Sequence, residues 1–269
     1  MSSRTGSSFS GRFNPTSQNH QTILGDTAMA KTVVLSATDV DWLGWAKSYA
    51  NRQPQARSIV TIPNGLSIQQ AKPFITRAVV QAGADGVLVM SVGHGTTVAG
   101  SDVDGMVEIA PGGKAKLVGL NGVGTVNVFY NVRVRPDQPS DMENDLKDNP
   151  KSKRLADFRT YTEIGTQFRS TKLLRVVFLT CRVGKSREFL KKIANDWQTV
   201  VSAYTRRVAV TSVTYTQPGK PAVIENYCHF EGEKFPATGP NGGDQNAIAK
   251  EELPFRPGQQ VFVGPPLTL

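Results

Sequence analysis

The chain has 269 residues, 39% of them hydrophobic, and a formal net charge of +9 at pH 7. This length suits one large α/β domain with additions or two smaller domains, and either can bury a sizeable core. No stretch comes near the roughly 18 uninterrupted apolar residues of a membrane span, so none is predicted. The basic residues are spread and not interleaved with aromatic residues, which favours a solvated basic surface over a nucleic-acid-binding groove.

Residues 1–30 are rich in Ser, Thr, Asn, Gln and Gly and have little apolar periodicity. They predict a flexible amino-terminal arm or an intersubunit tail. No apolar segment follows Met1, so we expect no secretory signal peptide. Two cysteines, Cys181 and Cys228, cannot form a disulfide framework, and we expect reduced thiols in a cytoplasmic type of compartment.

Strands and helices alternate from residue 32. Apolar, β-branched runs predict strands over 32–37, 58–62 and 86–93, and helical periodicity predicts helices over 40–51 and 67–82. This order indicates an α/β fold with a mostly parallel, doubly wound sheet flanked by helices. Right-handed crossovers place the ends of parallel strands, and with them Asp39 and His94, along one edge.

The second half of the pattern is interrupted. A β-hairpin is predicted over 105–114, and a long polar surface loop over 134–168, with a short helix near 153–159. Loops of that length are usually functional or mobile. The alternation resumes with a strand over 172–180, a helix over 187–201 and a strand over 208–213.

The end of the chain is rich in proline and glycine from Gln217 onward. We therefore expect an irregular carboxyl-terminal extension over 216–269, packed on the α/β domain of 31–215.

Two apolar runs end in a reactive residue, although the chain holds only three histidines and two cysteines. The run over 86–93 leads into His94, and the run over 173–180 leads into Cys181. Ligands of open α/β sheets bind outside the carboxyl ends of the strands. A cysteine that meets a distant histidine there becomes a thiolate nucleophile. The alternatives are a buried structural cysteine and a loop-end histidine.

The neighbouring residues suggest a mechanism. Arg182 and the start of the following helix both favour a thiolate at Cys181. The thiolate attacks a carbonyl, His94 protonates the leaving amine, and the backbone N–H groups of Gly95 and Cys181 hold the oxyanion.

Three acidic residues are candidates for a substrate pocket. Asp39 either caps the helix that follows it or forms the floor of a pocket for a basic side chain. Asp102 and Asp104, in the loop after His94, are rival candidates.

No cofactor or metal is predicted. Val183-Gly184-Lys185-Ser186 ends like a phosphate-binding loop, but Leu179 stands where that motif has its first glycine. Cys228-His229 has no second pair of ligands at metal-binding spacing.

Two short motifs resemble those of a known family. Ser91-Val92-Gly93-His94-Gly95 resembles a Ser-His-Gly histidine turn, and Thr180-Cys181-Arg182-Val183-Gly184 resembles an Ala-Cys-Arg-Gly nucleophile turn. With the hairpin between them, they resemble the caspase–haemoglobinase fold of clan CD cysteine peptidases. Within that fold, the chain resembles the bacterial caspase-like domains that are related to separases and caspases. The resemblance spans about residues 31–215, with Thr180 and the additional Val183 as departures.

The resemblance implies a caspase-like three-layer sandwich, a His94–Cys181 dyad and an oxyanion hole at Gly95 and Cys181. It also implies a first-pocket residue near Asp39, where an acid would select Arg or Lys at the cleavage site. The leading hypothesis is therefore a cysteine endopeptidase that acts on peptides or proteins. Basic residues at 151, 153 and 154 suggest self-cleavage in the 134–168 loop.

Two alternatives remain open. A non-catalytic interaction or assembly module of the same fold, in an oligomer, is suggested by the amino-terminal arm and the extension. A basic nucleic-acid-binding protein is the weaker alternative.

Overall fold

The computed structural model describes residues 31–51, 57–97, 104–119, 132–134, 153–216, 218–230 and 252–260. The helices are α1 (Val40–Asn51), α2 (Ile68–Ala82), α3 (Lys153–Thr171) and α4 (Arg187–Trp197). The strands are β1 (Thr32–Ala37), β2 (Arg57–Ile62), β3 (Val87–Ser91), β4 (Gly95–Thr97), β5 (Gly105–Ala110), β6 (Ala115–Gly119), β7 (Val132–Val134), β8 (Arg175–Phe178), β9 (Val200–Ala203), β10 (Val208–Tyr215), β11 (Val223–Phe230) and β12 (Leu253–Phe255). Among these residues no helix is both long and apolar enough to cross a membrane.

The main sheet has six strands in the order β12-β9-β8-β3-β1-β2. All neighbouring pairs from β9 to β2 are parallel, and β12 runs antiparallel to β9. This confirms the predicted α/β fold with a mostly parallel sheet. The three strands β1, β3 and β8, which lead into the candidate residues, are adjacent at its centre.

Helices cover both faces of the main sheet. The side chains of β1 alternate between two core clusters, with Val33 and Leu35 in the first and Val34 in the second. The first cluster takes apolar residues from α2, α3 and α4, around the buried ring of Trp197. The second takes residues of α1 together with Tyr204 and Val208. Strands with both side-chain sets buried are typical of parallel sheets.

A second sheet lies beside the first, in the order β4-β5-β6-β7. The pair β5–β6 is the predicted hairpin, and it turns at Gly112 and Gly113, whose φ angles are 85° and 75°. A left-handed φ is readily adopted only by glycine, which explains the pair of glycines in this turn. The first strand of the hairpin, β5, pairs antiparallel with β4, which begins at Gly95.

The predicted loop over 134–168 ends earlier than expected, because the short helix predicted near 153–159 is the start of a longer one. Residues from 153 onward form α3, which continues to Thr171. Its buried face carries Tyr161, Ile164 and Phe168, spaced as one helix stripe, but the high charge of its first turns hides this pattern. Lys153 and Arg154, considered as cleavage sites, lie in the first turn of α3, whereas Lys151 lies outside the described residues.

The predicted irregular extension over 216–269 is also wrong in two places. β11 pairs with β10 along its full length, and β12 joins the main sheet beside β9. The boundary at 215 therefore cuts through a hairpin and leaves out a strand of the main sheet. A strand of three residues that contains Pro254 is too short to be predicted from the periodicity of its apolar residues. The amino-terminal arm, 1–30, lies outside the described residues.

Candidate active site

The carboxyl ends of the central strands meet at one edge. Asp39 follows β1, His94 follows β3, and Cys181 follows β8. The pairing of β3 with β8 continues past the strand end, where the N–H of Leu179 donates to the carbonyl of Met90 over 3.1 Å. The segments that carry His94 and Cys181 are therefore neighbours, because the two strands that deliver them are hydrogen-bonded in parallel.

The turn that holds His94 packs directly on the turn that holds Cys181. A Cβ atom at Gly95 would lie 2.5 Å from Oγ1 of Thr180 and 2.8 Å from the backbone oxygen of Cys181. Real Cβ atoms do not approach that closely, so only glycine fits here. The two predicted site segments are thus in backbone contact.

His94 is exposed at this edge and touches α1. Its ring lies edge-on to the ring of Trp42, with centroids 5.5 Å apart and planes at 74°. Trp42 in turn contacts Trp45, which packs on the second core cluster. The imidazole therefore lies on the α1 side of the main sheet.

Cys181 is a half-buried free thiol. Its Sγ donates a hydrogen bond to the backbone oxygen of Val208 over 3.5 Å. Val208 belongs to the second core cluster, together with α1. Thiol and imidazole thus lie toward the same face of the sheet and not in opposite layers of the fold.

The turn after Cys181 is fixed by backbone hydrogen bonds. The N–H of Arg182 donates to the backbone oxygen of Arg206 over 3.0 Å, and the N–H of Gly184 donates to the backbone oxygen of Tyr204 over 2.8 Å. Arg182 adopts a left-handed φ of 58°. Such a conformation costs a non-glycine residue about 1–2 kcal/mol and is often met at functional sites.

Among the described residues, two backbone N–H groups are candidates for oxyanion donors. The N–H of Glu108 donates to the oxygen of His94 over 3.0 Å. Hydrogen-bonded and non-hydrogen-bonded pairs alternate in an antiparallel ladder, so the next pair, Gly95–Val107, turns the Gly95 N–H away from β5. Within the part of the chain that the structure describes, the N–H of Cys181 donates to no protein acceptor. These are the two donors predicted for the oxyanion hole.

Glu108 is a site residue that sequence reasoning missed. It is 6% exposed, and its Oε2 accepts the backbone N–H of His94 over 2.7 Å. A Cβ atom at Gly93 would lie 2.6 Å from the Cβ of Glu108 and would clash with Oε2. Glu108 alternates with apolar residues in a hairpin strand, and nothing in that pattern indicates which loop it meets.

The three acidic candidates are placed differently. Oδ1 of Asp39 accepts the N–H of Trp42 over 3.0 Å, which confirms Asp39 as the residue that caps α1. Its pocket role stays a prediction, although Trp42 brings it near His94. Asp104 holds Ser186 through its backbone oxygen at 2.7 Å, next to the start of α4. Asp102 lies outside the described residues.

No group of three or more His, Cys, Asp or Glu side chains suited to a metal ion occurs in the described ranges. Comparison of the chain with protein-family models, curated proteins and solved structures finds no match.

Proposed function

We propose that the chain is a cysteine endopeptidase of the caspase-like type, in which His94 and Cys181 form a catalytic dyad. The observation that carries this proposal is the packing of the His94–Gly95 turn on the Thr180–Cys181 turn. Because the thiol and the imidazole lie toward the same face of the sheet, a substrate carbonyl bound between them could meet both groups.

The element order supports the same proposal. The strand that leads to the histidine is followed by an antiparallel hairpin and then by the neighbouring parallel strand that leads to the cysteine. This is the order that the resemblance to clan CD peptidases implies.

The mechanism follows from the placement of the groups. The thiol of Cys181 gives its proton to His94, and the sulfur attacks the scissile carbonyl carbon. The N–H groups of Gly95 and Cys181 stabilise the negative oxygen, and His94 gives a proton to the leaving amine. Water then hydrolyses the thioester, and the peptide acid and the free thiol are released.

A preference for Arg or Lys at the cleavage site is the finer part of the proposal. One carboxylate oxygen of Asp39 accepts the Trp42 N–H, and the other has no hydrogen bond or ion pair to a residue in the described ranges. A guanidinium placed here would pair with that oxygen and lie near the indole ring, and both interactions favour a cation.

A positional peptide library tests the proposal against wild-type protein and three variants. Cys181→Ala and His94→Ala should each lower kcat/KM at least 10³-fold, on the order of the loss seen when a catalytic dyad or triad member is removed. Cys228→Ala is the matched control and should retain wild-type cleavage. Cleavage by Cys181→Ala at the wild-type rate would contradict the proposal. If the wild-type protein cleaves no peptide of the library, the result would favour the non-catalytic module.

A further inference from the structure

The nearly buried carboxylate of Glu108 contacts the backbone of a candidate site residue. Glu108 lies on β5, the strand that pairs with β4, and its side chain is 7% exposed. Burial of a carboxylate is unfavourable unless hydrogen bonds and opposite charge offset it. Its contacts therefore show what this position does in the fold.

Both backbone polar groups of His94 are held by Glu108. The N–H of His94 donates to Oε2 of Glu108 over 2.7 Å, and the oxygen of His94 accepts the N–H of Glu108 over 3.0 Å. A hydrogen bond to a carboxylate is short and about twice as strong as one between neutral groups. The backbone of the histidine is thus fixed to one residue of the hairpin.

Gly93 is an independent sign of this contact. The Glu108 side chain crosses its α-carbon so closely that any Cβ would displace the carboxylate. The φ of Gly93 is not left-handed, so space and not backbone conformation requires glycine here. Glycine at position 93 therefore leaves the space that the Glu108 carboxylate needs to reach the backbone of His94.

The second oxygen of Glu108 faces a lysine. Lys116 lies opposite Glu108 in the β5–β6 register, with its Nζ 3.4 Å from Oε1. The carboxylate therefore has two donors, one on each oxygen, and the ammonium offsets the burial of its charge.

We propose that Glu108 is a positioning residue that holds the His94 backbone, and with it the imidazole, at the sheet edge where Cys181 lies. This inference rests on the proposed dyad. Trp42 locates the ring from one side, and Glu108 locates the main chain from the other. A displacement of about 1 Å at a catalytic group can lower a rate by about 10²-fold, which is why such a clamp matters.

The sharpest test uses the competition between the two donors. In Glu108→Gln a single amide oxygen must serve both the His94 N–H and Lys116, so the NH₂ group faces one of them. We expect kcat to fall about tenfold or more, with KM changed less than about twofold. Adding Lys116→Met removes the rival donor, so the amide oxygen can turn to His94. The kcat of the double variant should recover to within about threefold of that of Lys116→Met alone. A double-mutant cycle measures this coupling between Glu108 and Lys116.

The rate at which iodoacetamide labels Cys181 at pH 7 distinguishes a displaced His94 from a fold that is loosened as a whole. Loss of the imidazole beside the thiol should slow alkylation of Cys181, in Glu108→Gln as in His94→Ala, whereas a loosened fold would speed labelling of Cys181 and Cys228 together. The inference is overturned if Glu108→Gln leaves both kcat and the Cys181 rate within about twofold of wild type, or if the double variant shows no recovery. If the wild-type protein cleaves no peptide but Glu108→Gln slows alkylation as His94→Ala does, the placement of His94 stands and only the peptidase proposal fails.

Discussion

Three glycines allow the site segments to approach one another. Gly93 makes room for the Glu108 side chain, Gly95 lies on the Thr180–Cys181 turn, and Gly184 lies on the backbone of Tyr204. None of the three has a left-handed φ. The sequence indicates glycines on both sides of His94 and suggests a sharp turn, but the structure shows that they are needed for space. The site depends on backbone contacts that one methyl group would block.

Gly95→Ala tests that dependence. The new Cβ must displace the Cys181 backbone, so we expect a free energy of unfolding lower by about 1–3 kcal/mol, as for overpacked cores. We also expect kcat/KM to fall by about 10²-fold, because the proposed oxyanion donors shift. Urea denaturation and peptide cleavage give the two values. Thr96→Ala, at the next and exposed position, is the control, and wild-type activity in Gly95→Ala would contradict the packing.

Tyr161 predicts a pH dependence at the residue scale. Its buried hydroxyl donates to Oδ2 of Asp196 over 2.9 Å. Burial, then the negative charge of Asp196, then this hydrogen bond raise the pKa of Tyr161 well above its ordinary value. An unfolded tyrosine ionises near pH 10, so above that pH the folded state keeps a proton that the unfolded state loses. The free energy of unfolding therefore falls as pH rises through this range.

Tyr161→Phe removes that titration. At pH 8 the variant should lose about 1 kcal/mol with its hydrogen bond, and its stability should fall less steeply than that of wild type from about pH 10 upward. Urea denaturation at several pH values measures both. Parallel stability curves above pH 10 would show that Tyr161 is not the titrating group.

At the scale of elements, the start of α1 forms part of the site. Asp39 caps the helix, and the first turn then carries Trp42 to the ring of His94. One residue therefore serves as a helix cap in the structure and as a pocket acid in the proposal. These two roles predict different results for different substitutions.

Asp39→Asn and Asp39→Ala separate the two roles. Asparagine caps helices as well as aspartate, so Asp39→Asn should unfold at nearly the wild-type free energy, whereas Asp39→Ala should lose about 1 kcal/mol. Both variants lack the charge and should lose the preference for Arg and Lys in the peptide library. A preference that survives in Asp39→Asn would exclude Asp39 from the pocket.

The elements also show what the sequence can predict. Apolar runs that end in His94 and Cys181 are readable because the strands are buried on both faces and the reactive residues are rare. Glu108 is not readable, because its partner His94 is 14 residues away and cross-strand register leaves no periodic signal. The charged first turns of α3 hide its apolar stripe, and β12 has only three residues, so neither element shows a clear periodic pattern in the sequence.

At the scale of the molecule, the last described strand is tied to the centre of the main sheet. Glu252 precedes β12, and its side chain, 4% exposed, pairs with Arg175 of β8 at 2.9 Å. Oε2 of Glu252 also accepts the hydroxyl of Tyr204 over 3.4 Å. The ion pair therefore connects β12 to β8 across β9, which lies between them in the sheet.

Glu252→Gln should lower the free energy of unfolding by about 1–3 kcal/mol, because it breaks a largely buried pair whose arginine is still partly hydrated. The matched control is Glu163→Gln, which breaks the Lys72–Glu163 pair on the surface, with side chains 38% and 55% exposed. That change should cost less than about 0.5 kcal/mol. Thermal and urea denaturation compare the two, and equal losses would show that β12 is not fastened by Glu252.

The proline in β12 bears on how copies of this chain can associate. Pro254 stands opposite Ser202 in the pairing with β9, and its side chain is exposed. Since proline has no N–H, Pro254 cannot donate a backbone hydrogen bond to a strand on either side of β12. An incoming strand would find few donors there, and short edge strands that contain proline oppose sheet extension. Among the described strands, β12 is thus the side of the main sheet that disfavours strand-to-strand pairing between copies.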